Sequence, residues 1–305
     1  AFGTYEQDVA AIVLNGGKLE GELVETDADI FLGLVSGAVS SSGGIVKDLG
    51  ILGDLSTTEG TTELWSAVAV RNVSNGAGAT IANFGGVIFS DDGSLENHGI
   101  YINQGEALTD ADVSSNSGTI TNEGEWYGAV AGSSGVIDNR GTWDLRRLDV
   151  TEGSPSMTIS GSGRLTGNGT VNGNVVIQGD GSFEPGIHEE AGTSATINGN
   201  LTLLGGAYFV VNVGNDTATL ATVTGTATLS DPDAPGQAAK VKVNYVGTGF
   251  GPRTYTILTA DLLVGEFAGF TGDTTAPDGL IQSLVYSDDH KNVSLTLASA
   301  QRPQP

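Results

Sequence analysis

The chain of 305 residues carries 36 Asp and Glu against 12 Lys and Arg, a formal net charge of −24. Such a charge repels nucleic acid and anionic lipid surfaces, which select basic faces. With no Cys, disulfides, thiolate metal sites and a thiol nucleophile are excluded, and no apolar run reaches the roughly 18 residues of a membrane-spanning helix.

Gly is 47 of the 305 residues, about double its usual share of about 7%. Disorder does not follow from that excess. The chain is 38% hydrophobic, and its Val, Ile and Leu alternate with polar residues in nearly every stretch, where a disordered acidic chain would lack them.

Taken in order, residues 1–72 read as irregular early coils. Glu6 to Leu14 suggests a helix but runs into the turn signal Asn15-Gly16-Gly17. Lys18–Glu20 and Glu22–Val24 read as strands flanking Gly21. A more apolar stretch from Asp29 to Ile51 follows, punctuated by Gly33, Gly37, Gly43, Gly44 and Gly50.

Residues 73–186 repeat one phrase four times, as Ala79-Thr-Ile-Ala-Asn83-Phe-Gly85, Gly93-Ser-Leu-Glu-Asn97-His-Gly99, Gly118-Thr-Ile-Thr-Asn122-Glu-Gly124 and Gly135-Val-Ile-Asp-Asn139-Arg-Gly141. The asparagines lie 14, 25 and 17 residues apart (97−83, 122−97, 139−122). These spacings suit the coils of a parallel β-solenoid with loops of unequal length. Alternation of Leu165, Val171, Val175 and Ile177 with small polar residues continues the pattern of strands with one buried face. Asn83, Asn97, Asn122 and Asn139 are expected at corners. There Asn and Gly tolerate left-handed backbone, and the amides can stack from coil to coil at the ~4.8 Å strand spacing. Ligand binding by these asparagines is the alternative, and the structural role is preferred because the repeat demands a corner residue.

In residues 187–298 longer, more apolar strands are predicted around Asn198–Leu204, Ala207–Val213, Ala221–Leu229, Val241–Val246, Arg253–Ala260, Gly265–Phe267, Leu284–Tyr286 and Val293–Leu297. They read as a cap, which a solenoid needs because its last coil otherwise exposes an unpaired edge. Residues 299–305 read as a Pro-terminated linker. The fold class expected is all-β, a parallel β-helix with a C-terminal cap of longer strands.

The run Gly163-Arg-Leu-Thr-Gly167-Asn-Gly169-Thr-Val171, closing on Phe183-Glu-Pro-Gly186, resembles coils in passenger domains of bacterial autotransporters (type V secretion). The motifs Gly199-Asn-Leu-Thr-Leu203, Ala207 to Val213, Gly225 to Leu229 and Tyr255 to Ala260 resemble the C-terminal junction, or autochaperone segment, of those passengers. The likeness covers roughly residues 73–297. It implies a right-handed, pertactin-like β-helix exported through the periplasm and outer membrane, then secreted or held at the cell surface. It also implies a C-terminal β-barrel translocator as partner. Nothing after Ala298 offers barrel strands, so residues 1–305 are expected to be passenger alone. The lack of Cys and the acidic surface fit that expectation, as does coil-by-coil folding, in which each coil needs only its neighbour.

Catalytic patterns are weak. Glycosidases place two carboxylates roughly 5–10 Å apart. Asp91-Asp92, Asp110 with Asp112, and Asp288-Asp289 are candidates, but with 36 acids neighbouring pairs on solvated loops are expected by chance. Arg146-Arg147, flanked by Asp144 and Asp149, is the basic cluster a lyase would want, and reads more simply as a surface ion-pair network. His98, His188 and His290 are the only histidines, and no Gly-x-Ser-x-Gly elbow occurs. Gly53-Asp54-Leu55-Ser56 has the letters of a lipase motif in the wrong order. No EF-hand or calcium-repeat pattern is present; Asp27/Asp29, Asp110/Asp112 and Asp231/Asp233 could bind calcium loosely and read more simply as solvated loop acids. Gly161-Ser-Gly163 with Gly167 lacks the βαβ context of a dinucleotide site. No catalytic residue, cofactor or metal is expected.

Surface recognition remains. Trp126-Tyr127 and Trp143 follow corners and fall on corresponding strands, with Tyr101 nearby. Pointing outward they would form a stripe for a glycan or protein, and pointing inward they would fill the core, which the small residues around them favour. The long interval from Gln104 to Ser117, with Asp110 and Asp112, is the expected functional protrusion. The function expected is non-catalytic binding of a host-cell surface protein or glycan, as an adhesin or receptor-directed effector. The alternatives are a β-helix polysaccharide-degrading enzyme and a self-associating stalk. No nucleic-acid partner is expected.

Overall fold

The computed structural model describes residues 6–7, 11–20, 24–25, 30–31, 33–35, 37–89, 93–148, 155–230, 237–271 and 276–300. Asp27, Asp29, Asp91, Asp92, Asp149, Asp231, Asp233 and the tail from Gln301 lie outside them. The chain forms two compact units, Ala1–Pro155 and Ser156–Pro305. The fold is all-β, and each unit winds as a parallel β-helix. Among the described residues the only helical turn is the single 3-10 turn Pro277–Gly279. The stretch that hints at a helix near the start holds the strands Glu6–Gln7 and Ala11–Leu14 instead.

In the first unit three strands make one coil. One coil is Ser94–Asn97, Ile100–Asn103 and Leu108–Asp110. The next is Asp112–Asn116, Thr119–Asn122 and Glu125–Tyr127. Val130–Ser133, Val136–Asn139 and Thr142–Asp144 form the third. Extended backbone over Gly44–Asn83 runs through earlier coils without a break, pairing in parallel with strands on both sides.

The side-chain period of two puts every second residue inside. Val73, Leu95, Val113 and Val130 stack in one interior column. Ile81, Tyr101, Ile120 and Ile137 stack in a second. Val87, Thr109, Trp126 and Trp143 stack in a third. All twelve are buried.

The asparagines form two ladders rather than one. On the first corner Thr57 Oγ1 donates to Asn75 Oδ1 (2.6 Å), Asn75 Nδ2 to Asn97 Oδ1 (2.7 Å), Asn97 Nδ2 to Asn116 Oδ1 (2.7 Å) and Asn116 Nδ2 to Ser133 Oγ (2.9 Å). On the second, Asn83, Asn103, Asn122 and Asn139 are joined in the same sense, each step 2.8 Å. The amides also donate to a main-chain carbonyl of the following coil, as Asn122 does to Thr142 O at 3.0 Å.

Asn97 is therefore not the equivalent of Asn83, Asn122 and Asn139, a correction to the single-corner reading. The 14-residue step runs from the second corner of one coil to the first corner of the next, and the 25-residue step does the reverse one coil later. True coil lengths are 22 and 19 on the first corner (97−75, 116−97) and 20, 19 and 17 on the second (103−83, 122−103, 139−122).

The reason for the corner residues is also different. None of the ladder asparagines has positive φ, and neither do Gly85, Gly99, Gly124 and Gly141. Coil contact replaces turn geometry as the constraint. A Cβ on Gly118 would sit 2.0 Å from Gly99 O, one on Gly135 2.1 Å from Gly118 O, and one on Gly141 2.0 Å from Gly124 O. Glycine is needed because the backbone of one coil lies directly against that of the next.

In the second unit, Ser156–Ile159, Asn174–Ile177 and Leu201–Leu203 stack on one face. Arg164–Gly167, Ser182–Pro185, Tyr208–Val213 and Lys240–Tyr245 stack on another. Thr170–Asn172, Ser194–Asn198 and Leu220–Thr228 stack on the third. Strands lengthen toward the C-terminus, to 9 residues in Leu220–Thr228 and 12 in Arg253–Val264. Arg253–Val264 still pairs in parallel with Leu220–Thr228. Its other neighbour, Asn292–Ser299, is antiparallel, and so is the pairing of that strand with Leu280–Tyr286. The cap is an antiparallel meander laid on the last parallel strand.

Candidate functional site

The sequence-predicted surface residues are mostly interior. Trp126, Trp143 and Tyr101 have no exposed surface, so the core orientation is the one found and the outward aromatic stripe is not formed. The indoles stack with centroids 4.4 Å apart and 16° between planes, and Tyr101 meets Trp126 edge-on. Each polar atom is satisfied inside: Trp126 Nε1 donates to Ala111 O and Trp143 Nε1 to Gly128 O, both at 2.9 Å, while Tyr101 Oη lies 3.1 Å from Thr109 Oγ1. Burial pushes the Tyr101 phenol far above its ordinary pKa.

Gln104 to Ser117 is not a protrusion. Gln104 opens a tight turn whose carbonyl accepts from Ala107 N at 2.6 Å, and ladder strands Leu108–Asp110 and Asp112–Asn116 take up most of the remainder. Tyr127 is half-buried, its hydroxyl donating to Glu125 Oε2 at 3.1 Å, and its phenol is shifted up by burial, then by Glu125.

Asp110 and Asp112 do not converge as a catalytic pair. Asp112 Oδ1 accepts from Ala129 N at 2.7 Å. Asp110 is sealed against Arg147, Nε to Oδ1 3.2 Å with both side chains 5% exposed, and Arg147 Nη2 also donates to Phe89 O at 2.6 Å. Arg147 is thus half of a buried ion pair, not part of a surface network. Arg146 alone is at the surface, beside Asp144 at 3.4 Å. Asp289 is used locally, its Oδ1 accepting from Ser287 Oγ and Lys291 N. Among the described residues no group of three or more His, Asp or Glu side chains is placed to hold a metal ion.

The surface does carry an aromatic pair, on other residues. Trp65 and Phe84, each 39% exposed, stack with centroids 4.5 Å apart.

A better-formed site lies in the second unit, in a cleft of about 380 Å³ on the outer face of the strands from Arg164 to Tyr245. Alternation decides which residues reach it. Leu165, Phe183, Phe209 and Val241 point inward and are buried in register. Their neighbours Arg164, Ser182 and Tyr208 point outward as one row, with Glu184, Val210, Lys242 and Asn244 on the same face. His188 comes from the excursion between Pro185 and Ser194, and Asp180 and Thr271 complete the rim.

Glu184 forms the floor. Although on an outward position, it is only 1% exposed because its neighbours close over it. His188 Nδ1 lies 2.8 and 2.9 Å from its two oxygens, Asn212 Nδ2 donates to Oε1 at 2.9 Å, Glu189 N donates at 3.3 Å, and Arg164 Nη1 stands 3.7 Å away. Burial alone would raise the carboxyl pKa. The hydrogen bonds from Asn212, His188 and the Glu189 amide outweigh it, so the pKa is lowered.

Arg164 Nη1 lies 3.1 Å from His188 Nε2 and 3.3 Å from Nδ1, a position against the imidazole rather than in line with the lone pair of either nitrogen. Asn244 Nδ2 donates to Asn212 Oδ1 at 3.0 Å, extending the network across the next coil. Arg164 is under-used. Its Nε is buried without an acceptor, while 29% of the side chain remains exposed.

Sequence reasoning passed over this site because its members are scattered, one or two per coil, in strands whose alternation already reads as architecture. The available signal was positional: Glu184 interrupts the Phe-x-Pro-Gly closure with a carboxylate four residues before one of three histidines. Comparison with protein-family models finds no match, and comparison with curated protein sequences finds none either.

Proposed function

We propose that this chain is a secreted or surface-displayed passenger domain of the type V kind that binds a host-cell surface component without catalysis, using the Glu184–His188–Arg164 cleft. Its partners on this reading are a host glycan or protein and a β-barrel translocator.

The observation that carries the proposal is the cleft itself. In a chain with 12 Lys and Arg, it gathers Arg164, Lys242 and His188 beside an aromatic ring and several hydrogen-bonding groups. A concave site on a rigid scaffold, with polar groups converging beside an aromatic ring, is a form that ligand sites take. Binding is favoured over catalysis because the Glu184 carboxylate is already held by His188, Asn212 and the Glu189 amide. A general base needs a free lone pair within reach of a substrate proton. The parallel coils, the antiparallel C-terminal meander and the lack of Cys support export and stepwise folding.

The test is binding of the purified, fluorescently labelled chain to intact mammalian cells by flow cytometry. Saturable binding displaced by excess unlabelled chain is the expected result, and non-saturable association at every concentration would overturn it. A second reading, self-association, is favoured by one feature: Ile281 and Val285 are 48% and 50% exposed on the same face of Leu280–Tyr286. Concentration-dependent dimers in sedimentation, abolished by Val285→Lys, would favour that reading instead.

A further inference from the structure

Resting on the proposal that the cleft binds a ligand, we infer that the ligand is a carboxylate-bearing sugar, its carboxylate paired with Arg164 and its ring lying against Tyr208.

The guanidinium sets the chemistry. Arg164 lays Nη1 against the His188 ring, 3.7 Å from Glu184, and leaves Nε buried without an acceptor. A planar fork with unused donors matches a carboxylate, which can accept two parallel hydrogen bonds. Glu184 does not fill that role. Its oxygens are already taken by Asn212, His188 and the Glu189 amide.

Charge limits the ligand to a weak anion. The cleft holds Arg164 and Lys242 against Asp180 and Glu184, two cations and two carboxylates, within a chain of net charge −24. No surplus positive charge is available to hold a phosphate or a polyanion, so recognition rests on geometry and hydrogen bonds rather than on field strength.

Size and lining point to a sugar. About 380 Å³ is at the low end of small-molecule sites, enough for one or two sugar rings and too small for a helix or a folded surface. Tyr208 is half-buried in the outward row with Ser182, offering an apolar ring face beside a hydroxyl. Asn244 and Thr271 add an amide and a second hydroxyl on the same cleft. Aromatic face plus amide and hydroxyl groups is a lining that meets both surfaces of a pyranose.

The test uses calorimetric titration of the full chain with two probes, a hyaluronan disaccharide (one glucuronate) and sialyllactose, each beside its carboxyl methyl ester. One acid should bind saturably at a single site, identifying the source of the carboxylate, with its ester about tenfold weaker or worse. Arg164→Ala should lose the preference for acid over ester. Arg164→Lys should recover part of it, since the charge is kept and the fork is lost. Lys242→Ala, at an exposed position, removes the other cation of the cleft without touching the buried network and should weaken the acid more than the ester.

The inference is overturned if neither acid binds, if the esters bind as well as the acids, if the arginine and lysine variants leave affinity unchanged, or if a tetraglutamate peptide binds as tightly. Saturable cell binding that persists while the acidic sugars fail would sink the ligand and leave the binding function standing. Loss of both would sink both.

Discussion

Asn97 and Asn116 occupy the same corner one coil apart, and the amide of the first donates to the amide oxygen of the second at 2.7 Å. Both side chains are buried, so the bond lies where an unmade partner is costly. Between the ends of a ladder each amide accepts from one neighbour and donates to the next, and such chains polarise cooperatively.

Removing a middle rung takes away three hydrogen bonds at once, Asn103 Nδ2 to Asn122 Oδ1, Asn122 Nδ2 to Asn139 Oδ1 and Asn122 Nδ2 to Thr142 O. Asn122→Ala should destabilise the chain by about 1.5–4.5 kcal/mol, at roughly 0.5–1.5 kcal/mol net for each bond. Urea unfolding followed by circular dichroism reads it. A change below about 0.5 kcal/mol would mean that the ladder is decorative.

The glycines separate two explanations of the corner. Gly118→Ala puts a methyl 2.0 Å from Gly99 O and should cost about 1–3 kcal/mol or more through overpacking. Gly132 has ordinary φ and nothing within 4 Å of a built Cβ, so Gly132→Ala should stay within about 0.5 kcal/mol of wild type. Thermal melts of the two variants check this, and equal effects would remove coil-to-coil contact as the reason for glycine.

Much of the architecture was legible at the sequence level, and the part that was not has a physical cause. Alternation around Ile81, Ile120 and Ile137 exposes strands with one buried face. Asn-x-Gly phrases expose corners. The register is hidden because Asn103-Gln-Gly105 and Asn116-Ser-Gly118 are rungs as well, and a ladder with two corners per coil looks like one corner with uneven loops. The serine at Ser133 further hides a rung, since a hydroxyl accepts from Asn116 as an amide would. Gln104–Ser117 looked like a loop for the same reason. Outward residues carry no periodic signal that separates a solvated face from a site, so Arg164, Glu184 and His188 were invisible until the coils brought them together.

The three tryptophans should divide by accessibility. Trp126 and Trp143 are fully buried and Trp65 is 39% exposed. Iodide should quench only a fraction of the emission, and Trp65→Phe should abolish the quenchable fraction. Trp126→Ala should cost about 3–5 kcal/mol as a large-to-small core change. Strong quenching that survives the Trp65 substitution would restore an outward stripe.

Glu184 predicts a pH dependence of definite sign. Its folded pKa is lowered from 4.5, so its contribution is fully present above about 4.5 and is lost as pH falls through the lower folded value. At pH 7, Glu184→Gln should be less stable than wild type by about 1–3 kcal/mol, the scale of a charged hydrogen bond. The gap should close as the pH is lowered below about 4.5. Taking the difference between the two proteins cancels the other acids. A gap that is constant with pH would contradict the braced carboxylate.

The claim that recognition belongs to the cleft, and not to the stacked coils of the first unit, is tested most directly by cell binding of two surface variants with unchanged circular dichroism. Lys242→Glu reverses an exposed charge in the cleft, and Trp65→Ser removes the exposed indole. Binding should fall about tenfold or more for Lys242→Glu, the order of a lost charged contact, and persist for Trp65→Ser. Binding that survives Lys242→Glu and disappears with Trp65→Ser would contradict the account and move the site to the aromatic pair.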